Sequence, residues 1–185
     1  MINKKNIASI EALKIIYYVI VGLALTQIMS IFTVPNAYDK VLAFILALSL
    51  LPTLVRFSLG ITQVLEAHKT SASGTTLLVD FFLFLFMGSF LYFMAAYIGD
   101  IKIYLIFFII LLLVDLLWLR ITKTAVPRQF IFSDISVIVL LFVLYGASYL
   151  APSSGFWALG VFLLLISVIA TCCDFKYNWK FYFNK

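Results

Sequence analysis

Arg56 is the residue on which chemistry would turn. It stands inside the apolar run Leu50-Leu51-Pro52-Thr53-Leu54-Val55-Arg56-Phe57-Ser58-Leu59-Gly60, one helical turn after a proline. A guanidinium does not lose its proton in a protein, and a charge at the centre of a lipid-embedded helix costs about 3–10 kcal/mol or more, so Arg56 requires a carboxylate or water. Ser49, Thr53, Arg56, Gly60 and Gln63 follow one another at steps of four and three residues, which lays them along one stripe of a helix. A stripe that carries a permanent charge faces protein or water, not lipid.

The carboxylates able to answer that charge are Asp80, Asp115, Asp134 and Asp174. At a rise of about 1.5 Å per residue, Arg56 lies roughly 15 Å inside its helix, and Asp80 and Asp115 each lie about one turn inside theirs. Asp80 and Asp115 are therefore the expected counter-ions, with Asp134 and Asp174 at the ends of later helices. The expected ligand or ion pathway comprises Arg56, Asp80, Asp115, Ser49, Thr53, Gln63 and Asp134, in which acids outnumber the one buried base and so attract cations. His68, the only histidine, follows Glu66 at a membrane edge and is the candidate proton acceptor, since its charge changes near neutral pH. No catalytic residue, metal site or cofactor is expected. Zinc-protease, phosphate-loop, paired-aspartate and nucleophile-elbow motifs are missing, which leaves an enzymatic role unsupported. Cys172 and Cys173 are adjacent, a spacing suited to neither a metal nor a structural disulfide, and read as small buried hydrophobes.

The elements that must position these residues are membrane spans. The chain of 185 residues is 65% hydrophobic and 11% charged, against about a quarter charged in a soluble domain. Its apolar runs approach the roughly 20 residues that cross a bilayer as a helix, far more than the ten or so of a barrel strand. Six are expected, over residues 13–34, 41–67, 76–98, 101–121, 130–150 and 156–173, with Pro35-Asn36, the Ser/Thr/Gly segment 70–75, Gly99-Asp100, Pro127 and Pro152 as punctuation. The first run is too long for a signal peptide and is read as retained. The fold class is all-α: a six-helix polytopic bundle over residues 1–174, then an interfacial tail over 175–185.

Basic residues set the orientation. Lys4, Lys5, Lys14, Lys69, Arg120, Lys123, Arg128, Lys176, Lys180 and Lys185 fall on one side, Lys40 and Lys102 on the other. The positive-inside rule then places both termini in the cytoplasm and the chain in the cytoplasmic (inner) membrane as a multi-pass protein. The net charge of +5 is explained by this bias and points to no nucleic acid. In the tail, Phe175, Tyr177, Trp179, Phe181 and Phe183 alternate with polar residues, the period of an extended segment. Trp179, Phe181 and Phe183, interleaved with lysines, suit anchoring at an anionic membrane surface. The expected partners are the bilayer and either a second copy or a partner membrane subunit.

Arg128-Gln129-Phe130-Ile131-Phe132-Ser133-Asp134 resembles the R-x-x-x-F-S-D signature of a family of lysosomal and prokaryotic potassium channels. In that family it opens the first, pore-lining helix of a six-helix unit, whereas here it opens the fifth. The size, the six helices and Ala8-x-x-x-Ala12 also resemble the substrate-binding subunits of energy-coupling vitamin transporters, without the glycine-rich loops of those subunits. The leading expectation is a transport-type protein that binds or passes a small solute or ion at the Arg56 site. The alternative is a non-catalytic interaction, effector or assembly subunit in which Arg56 is a structural ion pair.

Overall fold

In a computed structural model of the chain, residues 4–33, 40–71, 74–122, 128–152 and 155–183 are described. They form α1 (Lys4–Thr33), α2 (Lys40–Ser71), α3 (Gly74–Ala96), α4 (Ile101–Thr122), α5 (Arg128–Leu150), α6 (Phe156–Tyr177) and the short α7 (Trp179–Phe183). No strand occurs among the described residues. The first six helices are each long and apolar enough to cross a membrane.

Helix packing runs α1–α3–α4–α5–α6–α2 and back to α1, a closed circuit in which α2 sits between α1 and α6 rather than beside α3. α2 and α4 bury half or more of their spans, while α1 and α6 bury less than a quarter and present the rest outward. That outward surface is apolar, with Val19, Met29, Phe82, Phe86, Val139, Val143, Phe162 and Ile169 exposed, as a lipid-facing wall requires. With no hydrophobic drive between helices in lipid, close approach must come from small residues. Gly160 of α6 provides one such contact: a Cβ there would meet Leu42 Cδ1 at 3.1 Å and Ile45 Cγ2 at 3.2 Å on α2.

The turn between α3 and α4 is closed by its own polar atoms. Asp100 N–H donates to Tyr97 O at 2.9 Å, and Asp100 Oδ1 accepts from the backbone N–H groups of Lys102 (3.0 Å) and Ile103 (3.2 Å). This N-cap satisfies donors that the first turn of α4 would otherwise leave open. α2 continues through Pro52, whose missing N–H removes one helical bond to the carbonyl of Leu48.

Four features depart from the expectations above. α1 begins at Lys4, well before residue 13, because Ile10 on this extension is buried in the bundle. α6 continues to Tyr177 instead of stopping at Cys173. Cys172 and Cys173 are exposed, because the inward stripe of α6 is Gly160, Leu163, Ser167, Thr171 and Asp174 and both cysteines lie off it. The tail is not extended: Asn178 N–H donates to Asp174 O at 2.8 Å, Tyr182 N–H donates to Asn178 O at 3.2 Å, and α7 results. Phe175, Trp179 and Phe183, which read as alternation, are also four residues apart and stack as a helical stripe, with Trp179 and Phe183 ring centroids at 4.2 Å.

Candidate functional site

The inward stripe of α2 carries the polar residues to the middle of the circuit. Ser49, Thr53 and Arg56 are all buried, and Gln63 is half-buried. Ser49 Oγ donates to Leu46 O at 2.8 Å and lies 3.0 Å from Tyr104 OH on α4, while Thr53 Oγ1 donates to Ser49 O at 3.3 Å. These hydroxyls thus consume their hydrogen bonds locally and contact no charge.

Arg56 does meet charge, on different helices from those expected. Its Nη2 donates to Asp134 Oδ1 of α5, and its Nε donates to Asp174 Oδ2 of α6 at 2.9 Å. The guanidinium carbon also lies 4.9 Å from the ring centroid of Phe130, a cation–π contact. Asp80 is not its counter-ion. α3 packs on α1 and α4, so Asp80 is turned to α4, where Trp118 Nε1 donates to its Oδ1 at 2.8 Å. Asp115 is in the cluster, its carboxyl group neighbouring that of Asp134 and lining a small cavity together with Arg56. Matching depths identified Asp80 and Asp115; the order of the helices around the circuit decides which carboxylates reach the guanidinium. Trp118→Phe removes the indole donor to Asp80 and is expected to lower stability by about 1 kcal/mol, read as a lower melting temperature in detergent.

Asp174 is the most fully satisfied of the three acids around Arg56. Besides Arg56 Nε it accepts from Asn178 Nδ2 and Tyr182 OH. Tyr182 is placed there by α7: its backbone carbonyl accepts from Gln63 Nε2 at 2.8 Å, and its ring rests on Gly60, where a Cβ would lie 3.9 Å from it. Burial, followed by the charge of Asp174, raises the Tyr182 phenol above its ordinary range, which keeps it a donor. Gln63 and Gly60 therefore serve as a seat for the C-terminal helix. Spacing alone places Asp174 at the end of the last helix, treats Asn178 as a polar step of an alternating tail and gives Tyr182 no role. The signal for all three is a helical period carried past Cys173, since Asp174, Asn178 and Tyr182 are four residues apart.

Glu66 is not beside the cluster but forms an ion pair with Lys14, which ties α1 to α2, and Lys14 also lies 3.4 Å from Glu11. The side chains of His68 and Phe181 lie outside the described residues. Trp179 and Phe183 are exposed on α7, on the side away from buried Tyr182. Against the cluster lies a cavity of about 10 Å³, lined by Arg56, Gly60, Asp115, Trp118 and Phe130 among others. That is about the space of one water molecule.

Six apolar spans packed around a buried charge cluster define a multi-pass membrane protein. Compared with known proteins, the chain matches no family model, no curated sequence and no solved structure.

Proposed function

We propose that the protein is of transport type and takes up a small ion at the Arg56–Asp115–Asp134–Asp174 cluster. The observation that carries this reading is the imbalance at that cluster: one guanidinium among three buried carboxylates, beside a cavity with about the space of one water molecule. Intramembrane ionisable groups of this kind mark ion pathways and relays more often than they mark inert packing. The cavity beside Arg56 and Asp115 has room for an ion and not for a larger solute. With the basic flanks held in the cytoplasm, the cluster lies toward the inner face of a cytoplasmic membrane. The other half of the interior is filled by Leu46, Leu91, Met94, Ile98, Ile101 and Leu105, so a second copy or a partner subunit is proposed to complete the path.

Purified protein in lipid vesicles is the test. Ion flux above protein-free vesicles is expected, falling roughly tenfold or more in Asp115→Asn, a factor equivalent to about 1.4 kcal/mol. Flux equal to that of empty vesicles for the unaltered protein would remove the transport reading.

The structural alternative has its own support, since Arg56 binds two carboxylates and so ties α2 to α5 and α6. In that role the chain serves as an interaction or assembly subunit. Asp115→Asn then changes melting temperature without any flux to lose.

A further inference from the structure

The cluster contains more negative charge than the chain neutralises. Arg56, Asp115, Asp134 and Asp174 are each at most 5% exposed, and the single guanidinium leaves two of the three carboxylate charges uncompensated. An unpaired buried carboxylate costs several kcal/mol even after relaxation, which a folded chain avoids by taking up a positive charge. The surrounding groups supply none among the described residues. Tyr17 on α1 and Tyr182 on α7 are neutral phenols, Asp80 on α3 is engaged by Trp118, and Lys14 is committed to Glu66 and Glu11.

The donors are as uneven as the charges. Asp174 has three, and Asp134 Oδ1 has Arg56. Asp115 Oδ2 and Asp134 Oδ2 are buried with no hydrogen-bond partner among the described residues, in neighbouring carboxyl groups, and Asp115 lines the cavity beside Arg56. Ionised carboxylates only accept hydrogen bonds, so two of them face to face repel; one proton turns the pair into a donor and an acceptor. A metal cation answers the same charge deficit less well. No group of three His, Cys, Asp or Glu side chains is arranged to hold a metal among the described residues, and Arg56 itself lines the cavity.

We propose that Asp115 and Asp134 share an exchangeable proton, and that this proton is the ion the cluster takes up. A hydronium in the adjoining cavity gives up one O–H bond, a carboxyl oxygen of the pair gains it, water is left behind, and the positive charge stays in the cluster. The inference rests on reading this cluster as the ion site, but it concerns occupancy rather than passage.

Infrared spectroscopy of the full chain in lipid nanodiscs at pH about 7 tests it, because an exposed Asp, with a reference value near 3.9, is ionised there. A protonated-carboxyl C=O band that shifts in D₂O is expected. It should be lost in Asp115→Asn, moved in frequency in Asp115→Glu and retained in Asp80→Asn. It should also be indifferent to exchanging sodium or potassium for choline. Absence of such a band in the unaltered protein would overturn the proposal, as would a band unchanged in both Asp115 variants or one abolished by sodium or potassium. A band without vesicle flux counts against transport alone, and flux without a band counts against the proton alone.

Discussion

Arg56→Leu is expected to lower the stability of the bundle by about 3–5 kcal/mol, the cost of removing one partner of a buried ion pair. The loss comes mainly from what remains. Asp134 and Asp174 are both fully buried, and without the guanidinium Asp134 Oδ1 loses its charged donor while Asp174 keeps only the neutral donors Asn178 and Tyr182. Arg56→Lys should recover only part of the loss. One ammonium is a point charge, whereas the observed arrangement uses Nη2 toward α5 and Nε toward α6, two directions fixed by a planar fork. Replacing the whole set, as Arg56→Met with Asp115→Asn, Asp134→Asn and Asp174→Asn, should melt closer to the unaltered protein than Arg56→Leu does, because no unpaired charge is left behind. Arg120→Leu, at an exposed position near the end of α4, controls for loss of an arginine as such. Thermal unfolding in one detergent ranks these variants, and an Arg56→Leu protein that melts with the unaltered one would show that the pair carries no stability.

Much of this cluster could be read from residue spacing, because a helix converts spacing directly into a face. Ser49, Thr53, Arg56 and Gly60 turn inward together, as steps of four and three residues demand. Depth is also linear along a helix, and Arg56, Asp115, Asp134 and Asp174 do meet in one cluster. What spacing does not encode is which helix faces which. Depth makes Asp80 a counter-ion for Arg56, yet α2 lies between α1 and α6, and α3 turns Asp80 to α4. The surroundings of Asp174 are hidden for a separate reason: the apolar run of the last span ends at the two cysteines, whereas the helix continues one turn further and α7 then folds Tyr182 back onto it. The aromatic tail misled because period two and period four coincide on every second step, so a sequence of alternating rings fits a strand and a helical stripe equally well.

The order of the helices itself depends on a position that carries no charge. Gly88 of α3 sits where α1 crosses: a Cβ there would lie 2.7 Å from Ile20 Cγ2, 2.9 Å from its Cδ1 and 3.2 Å from its Cβ. Ile20 cannot simply swing aside, because a β-branched side chain in a helix has essentially one favoured χ1. Gly88→Ala must therefore push α1 away from α3, and the expected loss is about 1–3 kcal/mol, the range for overpacking a filled interior. The helix propensity of alanine works in the opposite direction by about 1 kcal/mol, so a net loss would show that the close approach outweighs it. The contact matters beyond its own energy. α1 and α3 pack closely, as α2 and α6 do, and their pairing leaves α2 free to close on α6, which brings Arg56 to Asp174. Gly88→Ala is thus expected to weaken the distant ion cluster as well, and Ile20→Ala in the same chain should restore both. Unfolding midpoints of the single and double variants form a cycle whose coupling term measures this contact. A Gly88→Ala protein as stable as the unaltered chain, with no coupling to Ile20, would mean that the crossing of α1 and α3 is held elsewhere along their length.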